Sequence, residues 1–362
     1  MTRSQRTIII VLAVPTVLIC GLVVAIFALN SQAILQSYGP ATATLPPTPP
    51  PPTETPTIPP TATASPTPTP SPVPTITPLP TSNAPTTNLD TQIAEEPENP
   101  TLYLQRGYAF VEMGVYTDAI QDFDTALGLD ATLAEAYVGR GMAHFHTKEW
   151  SLALADLDQA LALNPYLAGG YAWKGRILSE RGMYAPGIEA LRQAIALDEQ
   201  DPVKHTWLAW ALLRSGNPGA AETSYSTALA IESYSVEAYV GRAMAEEAQG
   251  NLDAAQINLS HATSTAPSSP VSLNGRAWFY SRHQPDRLYA AERLAQLAVD
   301  GTENDLEKAR YMDTLGWIYY QQGYHEKAVS TLEQATGLAI VEGIVIYGEI
   351  LEHLAQVTAA QQ

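Results

Sequence analysis

Apolar positions divide this chain into three stretches before any motif is considered. From Ile8 to Leu29 they run on with few breaks, at Pro15, Thr16, Cys20 and Gly21. These 22 residues, if helical, rise about 33 Å, enough to span a bilayer core. Arg3 and Arg6 precede the run, and no Lys or Arg follows it before Arg106. Positive charge on the short side predicts a cytoplasmic stub at 1–6, a signal-anchor helix at 7–29, and everything beyond on the extracytoplasmic side of a cell membrane. Two rivals share that orientation. A cleaved signal would need a better site than Ala28-Leu29-Asn30-Ser31, and a lipidated Cys20 would need a small residue where Ile19 stands.

The second stretch, 30–98, has no apolar periodicity. Of the 28 prolines, 18 fall between Pro40 and Pro85, where Glu54 is the only charged residue. Runs such as Thr67-Pro68-Thr69-Pro70-Ser71-Pro72 bury no core and favour extended polyproline II. Roughly fifty such residues reach on the order of 150 Å. The reading is a disordered Pro/Thr-rich spacer; a ligand for proline-recognising domains and a site of O-glycosylation are its alternatives.

The third stretch repeats itself every 34 residues. Units 100–133, 134–167, 168–201, 202–235 and 236–269 align without a gap; 270–308 is about five residues longer, and 309–342 follows. One column is small throughout: Gly107, Gly141, Gly175, Ala209, Ala243, Ala277, Gly316. Others are Ala119, Ala153, Gly187, Ala221, Ala255, Ala328, and seven residues later Ala126, Ala160, Ala194, Ala228, Ala262, Ala335. Small side chains at helical spacing let two helices approach closely. Gly114, Gly182, Gly216, Gly250 and Gly323 stand where the first helix of each unit stops. In the sixth unit Gln284-Pro285-Asp286 replaces that glycine and Asp300-Gly301-Thr302 lengthens the exit.

An offset of sixteen residues links the two helices of a unit. Arg106 meets Asp122, Arg140 meets Asp156 and Arg242 meets Asn258, while Lys174 faces Ala190 as an exception. These predict polar links inside hairpins, the alternative being a basic ligand-binding strip. After residue 342 the segment 343–362 reads as a capping helix, with Ile346, Ile350, Leu351 and Leu354 on one side of Ile344–Ala359.

The unit resembles the tetratricopeptide repeat (TPR). Asp313-Thr314-Leu315-Gly316-Trp317-Ile318-Tyr319-Tyr320, with Gly323 and Ala328, carries the likeness most fully, and the resemblance covers about 245 of 362 residues. It implies an all-α solenoid of about seven hairpins in a right-handed superhelix, whose first helices line a concave groove for a protein or peptide ligand. The residue after the small one in each first helix would point there: Tyr108, Met142, Arg176, Trp210, Met244, Trp278 and Trp317, with Phe145 and Tyr320 one turn on. Arg176 and Arg214 are its main cations, so a carboxylate clamp is not implied. An extended peptide or an amphipathic helix with apolar anchors fits better. Glycan or cell-wall polymer binding through the aromatic groove is the alternative.

Charge and chemistry narrow the partners. From Asp90 onward 17 basic residues face 36 acidic ones, a balance that repels nucleic acid. The single cysteine allows no disulfide within the chain. No cofactor, metal or catalytic motif is visible; His144 and His146, two apart on a helix, face different ways. The expectation is a non-catalytic, membrane-tethered scaffold of open oligomeric state.

Overall fold

A computed structural model describes residues 85–342, 344–345 and 347–360. The stub 1–6, the membrane helix expected at 7–29 and the spacer as far as residue 84 lie outside the described residues. No helix among the described residues is long and apolar enough to cross a membrane.

Among the described residues sixteen α-helices follow one another. A first helix, α1 (Pro85–Glu95), precedes seven hairpins. These are α2 (Pro100–Glu112) with α3 (Tyr116–Leu129), α4 (Ala134–His146) with α5 (Trp150–Leu163), α6 (Ala168–Glu180) with α7 (Tyr184–Leu197), and α8 (Pro202–Arg214) with α9 (Pro218–Ile231). Then come α10 (Val236–Ala248) with α11 (Leu252–Thr265), α12 (Pro270–His283) with α13 (Leu288–Asp300), and α14 (Asp305–Gln321) with α15 (His325–Leu338). Strands β1 (Ile340–Val341) and β2 (Ile344–Val345) pair antiparallel before α16 (Gly348–Ala359). Successive first helices approach one another more closely than successive second helices do, so the first helices form the inner face.

Local chemistry sets the boundaries. Asn99, Asp201 and Asn304 accept hydrogen bonds from the backbone N–H groups that open α2, α8 and α14, and Pro100 and Pro202 occupy the first turn where no donor is needed. The five turn glycines have φ between +75° and +84°, which ends each first helix without steric strain. In the second unit Lys148 takes that place at φ 65°, a left-handed conformation uncommon for a side-chain-bearing residue.

Both alanine columns are wholly buried, at 0 % exposure from Ala119 to Ala335. A Cβ on Gly175 would stand 2.8 Å from the Gly187 carbonyl oxygen, so the α6–α7 backbones meet directly. Volume is balanced across neighbouring units as well. Buried Phe123 and Tyr225 each face a glycine sixteen residues on, Gly139 and Gly241, as Leu259 does Gly275, whereas Trp173 and Trp207 stand sixteen residues beyond Leu157 and Leu191 and pack on the same clusters.

The sixteen-residue links form as expected, and each cation reaches further than the sequence implied. Arg106 donates to both oxygens of Asp122 at 2.7 Å and also to Asp90 of α1 at 2.7 Å. Arg140 binds Asp156 and, in the preceding unit, Asp124. Lys174, which has no carboxylate ahead of it, binds Asp158 behind it at 2.5 Å. One cation thus ties three successive helices, and the basic strip is spent on structure. Asn258, formally a glycosylation acceptor, is buried between Arg242 and Glu246.

Three boundaries differ from expectation, while the sixth unit is longer by the five residues expected. The spacer ends sooner, because α1 occupies the place of the second helix of a repeat: Leu89 is buried 34 residues before Phe123. The sixth unit carries two extra residues in a 3₁₀ turn (Pro285–Arg287) and three at its exit, which puts Ala291 and Ala298 into the buried columns at 0 % exposure. The seventh first helix starts at Asp305, not 309, since Asn304 caps it. At the C-terminus β-branched residues pair as a ladder, Ile340 with Val345 and Val341 with Ile344, so the capping helix begins only at Gly348. Its buried face holds Ile350 and Val357, with Leu354 partly covered, while Leu351 is exposed.

Gly241→Ala is expected to drive its methyl into the buried Tyr225 ring, 2.2 Å from the added carbon, and to lower unfolding free energy by about 1–3 kcal/mol in urea denaturation. Adding Tyr225→Leu, the residue this column holds at 157, 191 and 259, should recover most of that loss; a single variant as stable as the parent would refute the volume match.

Candidate functional site

The nine residues nominated for the groove all lie on inner helices, and the structure divides them into three groups. Tyr108, Met142 and Phe145 belong to the hairpin cores. The Tyr108 hydroxyl donates to the Glu135 carbonyl at 2.8 Å and its ring meets Phe123 edge-on; burial pushes its pKa up. Phe145 is 7 % exposed and stacks on Trp150, while Met142 is half-buried beside it.

Arg176 and Trp210 form the second group. The Arg176 guanidinium stands 4.9 Å from the Phe145 ring, 5.2 Å from Trp173 and 4.7 Å from Trp207, an arrangement that favours a cation through the ring quadrupoles. Trp173 and Trp207, 5.0 Å apart, were not nominated; the signal was two tryptophans in a column that holds glycine at 139, 241 and 275. The guanidinium groups of Arg214 and Arg310 lie 5.7 and 5.8 Å from the Trp210 ring.

Met244, Trp278, Trp317 and Tyr320 form the third, beneath and beside α16. The His353 imidazole lies 4.6 Å from Trp317 and 6.1 Å from Trp278, and its Nδ1 is 2.8 Å from Asp313 Oδ1. Trp317 and Tyr320 are 5.3 Å apart, and Met244 packs on the same C-terminal core. None of the nine is fully exposed.

The chain's own C-terminal segment crosses this inner surface. Lys148, at the end of α4, pairs with Asp305 of α14 at 2.7 Å. Glu342 accepts from the Ser151 N–H at 2.6 Å and the Ser151 hydroxyl at 2.8 Å, in the first turn of α5, with Arg181 at 3.9 Å. The Tyr347 hydroxyl donates to Glu180 at 3.5 Å, and Arg310 lies 5.4 Å from the Tyr347 ring. Arg214 pairs with Glu349. Val341, 2 % exposed, packs with the Phe145 and Trp150 core. Burial alone would push the Glu349 carboxyl up, but the Arg214 guanidinium outweighs it and holds the group below the usual range. The acidic and aromatic residues of 340–349 therefore lie along the C-terminal ends of α4, α6 and α8, where basic side chains gather.

No cluster of three His, Cys, Asp or Glu side chains among the described residues is placed to hold a metal. The described pocket, about 410 Å³ between α13, α14 and α15, includes Lys308, Tyr319 and Lys327 and lies away from the nominated residues.

Profiles of the tetratricopeptide repeat match residues 104–168 and 206–268, and 168–201 and 309–339, together more than half of the chain. The chain belongs to the tetratricopeptide-repeat family. A search of curated proteins finds no match. Among solved structures, a TPR protein from Parabacteroides merdae is 16 % identical over 72 % of this chain and 99 % of its own, with a TM-score of 0.55. The APC/C hetero-tetramer Cut9–Hcn1 is 16 % identical over 75 % of this chain and 51 % of its own, with a TM-score of 0.53. YrrB, a TPR protein with an unusual peptide-binding site, is 19 % identical over 52 % of this chain and 97 % of its own, at a TM-score of 0.42. At these identities the likeness is one of fold. TPR domains bind protein or peptide partners, and the fold is typically a non-catalytic interaction scaffold.

The Asp313–His353 pair gives the TPR domain a pH response. Burial works to lower the His353 pKa, but the Asp313 hydrogen bond and the charges of Asp313, Glu349 and Glu352 raise it above 6.5; burial pushes Asp313 up as well. A raised imidazole contributes stability that is fully present below 6.5 and lost as pH rises through the folded value. Protection factors of the α16 amides, which divide out the base-catalysed rise of intrinsic exchange with pH, should therefore be higher at about pH 6 than at about pH 8.5, and Asp313→Asn should flatten the difference. A slope that survives Asp313→Asn would place the titrating group elsewhere.

Proposed function

We propose that this protein is a non-catalytic scaffold that holds a protein segment along the inner face of its repeats, tethered by residues 7–29 to a membrane with the repeats on the extracytoplasmic side. The observation that carries the binding reading is that the inner face already accepts residues of the chain's own C-terminal part, Val341, Glu342 and Glu349, through basic side chains, a helix N-terminus and an apolar contact. The tether rests on the apolar run from Ile8 to Leu29, on Arg3 and Arg6 before it, and on the Pro/Thr-rich spacer that follows. Glycan binding is the weaker reading. Sugar platforms need open ring faces, whereas Trp210 is flanked by Arg214 and Arg310, and Trp278 and Trp317 adjoin His353.

Two measurements test the two halves. Detergent-solubilised full chain, used as bait in membranes of its own cells, should retain a protein partner at near-equal amount; a folded bait that retains polysaccharide alone, or nothing, would overturn the scaffold. A cysteine introduced at exposed Ser268 should react with a membrane-impermeant maleimide in intact cells. Labelling that requires permeabilised cells would reverse the assigned side.

A further inference from the structure

We propose that Arg276 and Arg287 of the sixth unit form a binding site for a doubly charged tetrahedral oxyanion of the phosphate type, on the side of the repeats turned away from the inner face.

In the first, second, third and fifth units the cation of this column has an acceptor of its own. Arg106 lies between Asp122 and Asp90, Arg140 between Asp156 and Asp124, Lys174 binds Asp158, and Arg242 binds Asn258. These side chains reach from a first helix to the second helices of their own unit and of the one before, so the column faces away from the groove. In the sixth unit the corresponding places hold Ser260 behind Arg276 and, counting the two inserted residues, Leu294 ahead of it. Neither neutralises a guanidinium. Arg276 donates instead to the Tyr280 hydroxyl at 2.5 Å and, at 3.5 Å, to the Thr263 hydroxyl.

The insertion also brings a second cation to the same spot. Arg287, at the end of the 3₁₀ turn, donates to the same Tyr280 hydroxyl at 3.3 Å, and the two guanidinium carbons lie 5.4 and 5.1 Å from the Tyr280 ring. Among the described residues no ion pair involves either arginine, nor Asp286 beside Arg287. Each guanidinium has five N–H donors, yet the pair makes three hydrogen bonds, two of them to one neutral oxygen. Arg287 is exposed and Arg276 half-buried, so a solute can reach the donors that are left. The Tyr280 hydroxyl registers the local field: burial works to raise its pKa, but hydrogen bonds and charge from Arg276 and Arg287 hold it below the ordinary phenol value.

Charge and shape name the ligand. Guanidinium forks hold oxyanions through parallel N–H···O bonds, and two positive charges without a carboxylate match a dianion. The net charge of −18 repels extended polyanions and anionic membrane surfaces, which leaves a compact phosphate group, free or carried as a monoester. The site does not depend on the inner-face groove and stands or falls apart from the scaffold.

The full chain in detergent is titrated with sodium phosphate, ionic strength being held constant with chloride, and binding is read from broadening of the phosphate phosphorus NMR line and from the thermal midpoint. The parent should broaden the line saturably and melt higher than in chloride alone. Arg287→Gln should weaken binding by about tenfold or more, and Arg276→Gln added to it should abolish binding. Arg192→Gln, at an exposed arginine of α7, should bind as the parent does. Should Arg287→Gln fail to fold, Arg287→Lys, which keeps the charge and loses the fork, carries the same expectation in smaller degree. Glycerol phosphate in place of inorganic phosphate identifies the source: tighter binding of the monoester supports a phosphorylated ligand, and equal binding supports the free ion. No saturable broadening by either compound overturns the proposal. So does a folded Arg287→Gln chain that binds phosphate as tightly as the parent, in which case the two arginines serve only to hold Tyr280.

Discussion

Two helices joined by a short turn can share a seam only if their backbones come close along its whole length, and side chains larger than Ala along that line would hold them apart. In this protein the requirement is met by alanine or glycine at the same three columns in nearly every unit, all of them buried. Every other regularity follows from it. A seam of small residues buries little area by itself, so each hairpin relies on larger residues between units: Phe123 against a glycine, Leu157 and Leu191 in clusters with tryptophan, and one cation tying three successive helices. Stability in such an array is distributed over nearest-neighbour interfaces.

The C-terminal segment breaks that one-dimensional rule. Contacts between Lys148 and Asp305, Ser151 and Glu342, and Glu180 and Tyr347 span 157 to 191 residues, where most other links span about one repeat. They fasten the early units to the last, and they reuse the face that a partner would need. The same contacts account for Lys148 in a turn that glycine serves elsewhere. Glycine has no ammonium to offer Asp305, and a left-handed lysine is tolerable at a modest strain.

The period, the hairpins and the Arg–Asp links were legible in the sequence because they are local: they repeat at fixed offsets, and a column of alanines has no other easy explanation. Where the period slips, legibility slipped with it. The sixth unit's two departures could be placed at 284–286 and 300–302, but its helix boundaries could not, and α1 was hidden because Leu89 and Asp90 sit just after a proline-rich stretch. The groove column was found by offset from Gly107 and its equivalents, and all of its members do lie on inner helices. That most of them are half-covered depends on what packs against them. His353 on Trp317, and Arg310 beside Trp210, join residues from different units, and no periodicity announces a contact of that kind.

The carboxylates of Glu342 and Glu349, which meet the inner face, are covalently part of the chain, and that continuity sets a threshold. A tethered group is presented at an effective concentration of the order of millimolar, whatever the dilution of the protein. A free competitor for the same basic side chains at micromolar concentration therefore needs an intrinsic affinity about a thousandfold better, or a second foothold, to hold them half of the time. Stray acidic peptides fall below that mark. The groove answers to a partner that is itself concentrated nearby or held in place, so that selectivity arises from where the partner is kept as much as from what it presents.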